Sequence, residues 1–259
     1  MPRGWLGGAW SRKVRPLSVE PRTVKGSESK LRLLGAARRV FARRGYVSTR
    51  MIDVAEEAGV SLGALYRYFA NREDLFAAMV GELHKEMYEA SGAHGADIVA
   101  DPLGTLVAAN KGYYELYYAN RDVLRAFIEA ATVERRFRDI WWEMRRRHVD
   151  RFLAVLRANG CERAGTRWGA LAAEAAAAAS EHAAYVWFAQ ASMTEPRASV
   201  EEATQFAASI WYNLFWGDSA KLGFDNVLPA IGDDTGQASR AEPDSSSSSG
   251  RKRAPDQFA

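Results

Sequence analysis

Apolar residues recur along this chain at helical rather than strand spacing. Leu33, Ala37, Val40, Phe41 and Arg44 follow an i, i+4, i+7, i+8, i+11 course, four of them apolar, while Arg38, Arg39 and Arg43 take the other face. Gly45 follows the last turn, where a C-terminal glycine belongs. Ile52, Val54 and Ala55 give a short second helix one apolar side, and Gly59 breaks it. Ser61 is a suitable N-cap for a third helix running to Phe69, with Val60, Leu65 and Phe69 inward and Leu62, Ala64, Arg67 and Tyr68 outward or along the rim. Later helices are predicted over 102–120, 121–132, 134–159, 168–191 and 199–221, with Gly160, Gly165, Pro196 and Gly223 at the breaks. No Val/Ile/Thr run alternates between hairpin turns, so no sheet is expected. The fold class is all-α: an N-terminal three-helix unit followed by a helical bundle.

The ends break this pattern. Residues 1–28 hold four Gly and three Pro with no sustained period, and the tail from 225 contains the serine run 245–249 followed by Gly250, Arg251, Lys252 and Arg253. Neither can bury enough apolar surface to offset ordering entropy. The expected organisation is a disordered basic extension over 1–26, one domain over 27–87, a second over 91–224, and a disordered tail over 225–259. Charge follows the same division. Residues 1–28 carry six Lys/Arg against two Asp/Glu, and 29–90 carry ten against eight. Residues 91–224 carry fifteen against sixteen, and 225–259 carry four against six. The basic excess therefore lies in the first third, which suggests an anionic partner there.

Composition removes several classes. A single cysteine, Cys161, excludes an internal disulfide framework and a multi-cysteine metal site, and the four histidines are scattered. The apolar stretch 203–217 is too short and polar to span a bilayer, and the patch around Trp5 and Trp10 is too short for a signal sequence. A cytoplasmic protein with no cofactor, no metal and no membrane partner is expected. Gly59, Ser61 and Gly63 match the G-x-S-x-G nucleophile elbow in form, but that elbow needs a preceding strand. A helix precedes it here, so Ser61 reads as a cap and the chain as no enzyme. Cys161 has no evident base, and Glu181 with His182 would need further ligands from elsewhere.

Two short helices across a glycine turn make a helix-turn-helix, whose second helix can enter a DNA major groove. Gly63 and Ala64 would let that helix approach closely, its N-terminal N–H groups suit a phosphate, and Tyr66, Arg67 and Tyr68 reach outward.

Residues 27–87 resemble the DNA-binding domain of the TetR/AcrR family of bacterial transcriptional regulators. The resemblance is carried by Ala36-Ala37, Phe41, Gly45-Tyr46, Thr49, Val54-Ala55, Ala58-Gly59-Val60-Ser61, Gly63, Leu65-Tyr66, Phe69, Arg72-Glu73 and Leu75. It implies a helix-turn-helix over 50–69. Thr49 and Arg50 would meet backbone phosphate at its start, and Ser61, Leu62, Gly63, Ala64, Tyr66, Arg67 and Tyr68 would lie on the DNA-facing helix. Arg72 would take the place of a common phosphate-binding Lys. Leu62 stands where many members carry Lys or Arg, and Ala64 where many carry Thr. Arg67 is thereby left as the main candidate for a guanine contact.

The second domain is rich in rings at helical spacing: Tyr113, Tyr114, Tyr117 and Tyr118, then Trp141 and Trp142, then Trp211, Tyr212, Phe215 and Trp216. Most must be core, yet so many large rings pack with gaps that suit an apolar or aromatic effector. The segments 134–159 and 178–217 are similar to the EthR-like branch of the family. That likeness implies pocket positions at Tyr113, Tyr117, Trp141, Ser180 and Trp211. It also implies a homodimer through the last two long helices, one of which carries alanines at 175–179. The whole reads as a ligand-responsive repressor that binds a palindromic operator in double-stranded DNA. The alternative is a helical small-molecule-binding or scaffold protein whose helix-turn-helix does not read DNA.

Overall fold

The computed structural model describes residues 24–190 and 197–217, which fall within one compact unit. The expected extension over 1–26, apart from its last residues, and the tail over 225–259 lie outside the described residues. Nine α-helices succeed one another among those described, with no strand: α1 (Val24–Arg44), α2 (Met51–Ala58), α3 (Leu62–Tyr66), α4 (Arg72–Ala90), α5 (Pro102–Ala119), α6 (Arg121–Val133), α7 (Arg135–Ala158), α8 (Arg167–Ala184) and α9 (Val200–Trp216). No helix among the described residues is long and apolar enough to cross a membrane.

Local chemistry explains the boundaries. Gly59 ends α2 at φ 65°, a left-handed conformation in which its N–H and that of Val60 close back onto the helix. Asn71 caps α4 by accepting from the Asp74 N–H at 2.7 Å. Asp101 does the same for α5 from Gly104 at 2.9 Å, with Pro102 in the first turn. A capping box between Ser199 and Glu202 starts α9. The predicted helix over 168–191 differs at its end: α8 stops at Ala184 and widens into a π-turn over Tyr185–Ala189, closed by a Gln190 N–H to Tyr185 carbonyl bond of 2.9 Å.

Two apolar clusters hold the helices. The first begins with Phe41 of α1, Leu65 of α3, Phe69 and Phe76 of α4, all at 0 % exposure, and continues without a break to Phe127 of α6 and Phe137 of α7. Tyr46, Phe76 and Phe137 pack as a ring cluster with centroids 4.8 to 5.2 Å apart. The second cluster lies among α5, α7, α8 and α9 and includes Leu106, Leu153, Ala173 and Phe215. The α4 helix runs straight through residue 87. Its end meets α5 so closely that a Cβ at Gly112 would lie 2.2 Å from the Ala90 carbonyl oxygen.

Candidate nucleic-acid interface and effector pocket

The third helix stands on the core by one side only. Leu65 and Phe69 are fully buried, and Leu62 and Tyr68 are half-buried against the same cluster. Gly63, Tyr66 and Arg67 face outward, Tyr66 with 48 % exposure. The Ser61 hydroxyl accepts from the Ala64 N–H at 3.2 Å, so it works as the cap. The α2 helix precedes it, and the nucleophile-elbow reading has no strand to stand on. A Cβ added at Gly63 would meet nothing within 4 Å, so nothing in the chain's own packing requires glycine there.

The cations around this surface fall into two groups. Those of α1 are taken up internally. Arg38 pairs with Glu86 at 2.8 Å, Arg39 with Glu57 at 2.6 Å, Arg43 with the same carboxylate, and Arg44 with Asp53 at 3.0 Å. Arg67, by contrast, has no ion-pair partner among the described residues. The Arg50 side chain is 74 % exposed, with one Asp53 contact at 3.3 Å.

Two of the expected phosphate contacts are placed differently. Thr49 is 1 % exposed and its hydroxyl donates to the Gly45 carbonyl at 2.7 Å, so it pins the turn after α1 and presents no side-chain atom to solvent. Arg72 donates to the Val47 carbonyl at 3.1 Å and to Glu73 at 3.0 Å, and lies 4.4 Å over the Tyr46 ring. It works as a clamp, because every nitrogen is already directed at a neighbour. The clamp extends into the second half of the chain. The Tyr46 hydroxyl donates to Glu134, the Tyr46 N–H to Glu129 at 3.3 Å, and Arg136 reaches Asp74 at 2.7 Å. Burial, then the Glu134 bond, raises the Tyr46 phenol well above its ordinary value.

A small cavity of about 40 Å³, partly open to solvent, lies among α4, α5, α6, α7 and α8. Tyr113, Tyr117 and Trp141, three of the expected pocket positions, line it. Ser180 and Trp211 do not. Trp211 stacks edge-on against Phe152 at 4.6 Å in the second cluster, because α9 turns that face towards α7. Ser180 sits one position before Glu181 on α8 and therefore points about 100° away from it. Its carbonyl accepts from the Tyr114 hydroxyl at 3.1 Å. Four polar residues that the sequence reading did not place complete the wall: His84, Arg145, His148 and Glu181. Glu181 accepts from Trp141 Nε1 at 2.8 Å and from Arg145 Nε at 2.6 Å. Burial raises its carboxyl despite the opposing Arg145 charge. Burial also lowers the histidines, His84 to about 4 with help from Arg147, and His148 to about 3 with help from His84. Both are neutral at pH 7. A signal for His84 was present in the sequence: it follows Leu83 and precedes Met87 on the apolar stripe of α4.

Comparison with known proteins bears on the N-terminal surface above all. Residues 33–79 match the family model described as bacterial regulatory proteins, tetR family. The chain is 34 % identical over 82 residues to the HTH-type transcriptional regulator TtgR of Pseudomonas putida, covering 32 % of this chain and 39 % of that one. It is 30 % identical over 82 residues to the HTH-type transcriptional regulator AcrR of Shigella flexneri, covering 32 % and 38 %. The matched stretch is thus well under half the length of these curated relatives. Among solved structures, a TetR-like transcriptional regulator from Rhodococcus sp. RHA1 superposes with a TM-score of 0.53 at 24 % identity, over 75 % of this chain and 98 % of that one. Salmonella enterica GusR superposes with a TM-score of 0.59 at 20 % identity, over 76 % and 99 %. These structures share the all-α fold through both halves of the described chain.

Proposed function

We propose that this chain, whose residues 33–79 match the tetR family model, is a TetR/AcrR-type regulator: a cytoplasmic, ligand-responsive repressor that binds a palindromic DNA operator as a homodimer. The observation that carries this reading is the outward side of α3. Gly63, Tyr66 and Arg67 are left uncommitted by the fold, while Leu65 and Phe69 anchor the same helix at full burial. Arg67 reads bases, Arg50 and Tyr66 contact phosphate, and Ser61, Leu62, Ala64 and Tyr68 shape the surface around them. Thr49 and Arg72 hold the turn and α4 in register with the reading helix.

One short reading helix makes few contacts, so two are needed, about 34–36 Å apart on one face of the duplex. The outward sides of α8 and α9 support a dimer made by pairing with a second copy. Leu171, Ala175 and Ala179 on α8 and Phe206 on α9 are exposed, and Phe206 is 53 % exposed. Small side chains on α8 let helices approach closely.

The cavity is the proposed effector site, and α4 links it to the reading helix. His84 and Met87 of α4 line the cavity, and Arg72, about 18 Å along the same helix, clamps the turn before α2. An effector that fits only one setting of α4 shifts the dimer between DNA-competent and released states.

Selection of the purified protein from a random duplex library at about physiological salt tests the reading. A palindrome with steep salt dependence is expected. Recovery of no motif by a folded dimer would favour the scaffold alternative.

A further inference from the structure

The α7 helix is tied to two distant parts of the molecule. Its first turn enters the N-terminal unit. Glu134, at the N-cap position, accepts from the Tyr46 hydroxyl, and Arg136 pairs with Asp74 at 2.7 Å. Phe137 is fully buried, its ring 5.1 Å from Tyr46 and 5.2 Å from Phe76. Further along, Trp141, Met144, Arg145 and His148 of the same helix line the cavity. There Glu181 of α8 holds it, accepting from Trp141 Nε1 at 2.8 Å and from Arg145 Nε at 2.6 Å. The helix is continuous from Arg135 to Ala158, and Glu134 to Arg145 is about 16 Å along its axis.

The α4 helix is bound to α7 near both of its ends. Asp74 meets Arg136 in its first turn. After its last turn, Arg151 donates to the Ser91 carbonyl at 2.9 Å and to the Ser91 hydroxyl at 2.7 Å, and lies 3.9 Å over the Tyr88 ring. Two helices bonded at both ends shift together, so a displacement at the cavity travels along α7 as well as α4. It arrives at the turn between α1 and α2. Tyr46 stands in that turn, four residues before Arg50, with its N–H on Glu129 of α6 at 3.3 Å. Tyr46 is 1 % exposed, so it acts only through the turn it holds.

We propose that α7 couples the Glu181 network to DNA binding. Glu181 sets the position of α7, and Glu134 and Tyr46 pass that position to the turn before α2, and so to α3. They are positioning residues for the reading helix. The inference rests on the reading of the chain as a DNA-binding regulator and adds a second path, beside α4 alone, from the cavity wall to α3.

A double-mutant cycle tests this with no effector present. Glu181→Gln turns an amide N–H2 towards one of the two donors that the carboxylate serves, so one tie to α7 is lost. Tyr46→Phe removes the hydroxyl that Glu134 holds and keeps the ring in its cluster. Both variants and their combination are made in the full chain, checked for folding by melting curves, and titrated against the selected palindrome at several salt concentrations. Tyr46→Phe is expected to bind about fivefold more weakly, the effect of one hydrogen bond. Glu181→Gln is expected to bind about threefold more weakly, with the wild-type salt slope because no phosphate contact is lost. In the Tyr46→Phe background, Glu181→Gln is expected to weaken binding no further, since the path is already cut. Should Tyr46→Phe fail to fold, Arg136→Met, which cuts the tie to Asp74, replaces it in the cycle. Losses that multiply to about fifteenfold, as separate structural damage would give, would overturn the coupling and leave the DNA-binding reading standing. A Glu181→Gln variant that binds as tightly as the wild type, or more tightly, would do the same. A folded wild type that binds no duplex at any salt would overturn that reading and the inference together.

Discussion

The outer side of α3 and the wall of the cavity are both built from polar residues on apolar supports, yet they differ in how the fold uses them. On α3, Arg67 and Gly63 do nothing for the chain itself: one has no partner among the described residues and the other no neighbour. In the cavity, Glu181, Arg145 and Trp141 are bonded to one another, and His84 is inside the core. The outer side of α3, the proposed reading surface, is thus made of residues the fold can do without, and the cavity of residues it depends on. Substitutions should separate binding from stability in the first region and fail to separate them in the second.

The largest expected effect comes from breaking the cavity pair. Arg145→Leu leaves the Glu181 carboxylate in a site that already disfavours its charge. Unfolding free energy should drop by about 3 kcal/mol, measured by urea denaturation. A loss under 0.5 kcal/mol would show that solvent reaches Glu181 freely. Acid should act on the same region. The His84 pKa is lowered from 6.5 to about 4, so between these values the unfolded chain binds the proton that the folded one refuses. Stability is then full above about pH 6.5 and lost as pH falls towards 4, by about 2 kcal/mol at pH 5 from this residue. His84→Phe should flatten that part of the profile, and a profile that stays unchanged would remove His84 as its origin.

The contrast also explains what was legible in the sequence. The Ser61, Leu65, Phe69 spacing is local, so the sense in which α3 faces its core could be read from a few adjacent residues. Helix boundaries from α5 to α7 could be read too, because Pro102, Asn120 and Glu134 mark them directly. The cavity could not. Its polar members come from α4, α7 and α8, and only the rotation of each helix decides which residues meet. Trp211 shows the cost of guessing that rotation, since α9 turns it onto Phe152. Thr49 and Arg72 show a second limit. A motif gives their positions, but whether they are free for phosphate depends on Gly45, Val47 and Glu134, and the last of these lies far along the chain.

On the reading surface, Arg67→Ala should leave the denaturation midpoint within about 0.5 kcal/mol of wild type, as expected for an exposed residue with no partner. Its operator affinity should fall by about 1–3 kcal/mol with relaxed sequence preference, measured by titration against the selected palindrome and a scrambled duplex. Equal losses for both duplexes would reassign Arg67 to phosphate.

The smallest change is the sharpest test of the contrast. Gly63 lies in a helical turn with open space where its Cβ would be, so Gly63→Ala adds one methyl group that touches no other atom of the chain. Alanine restricts the unfolded backbone and suits the helix better, so stability should rise by up to about 1 kcal/mol. In the proposed function, that methyl would project from the face that enters the major groove, where a helix packs closely against base edges and sugar–phosphate. Operator affinity should therefore fall while the melting temperature rises. A variant that melts higher and binds as before would mean that the glycine leaves space nothing occupies, and that the helix approaches DNA by another edge. A variant that melts lower would place a neighbour against Gly63 and weaken the separation between reading and folding on which the comparison turns.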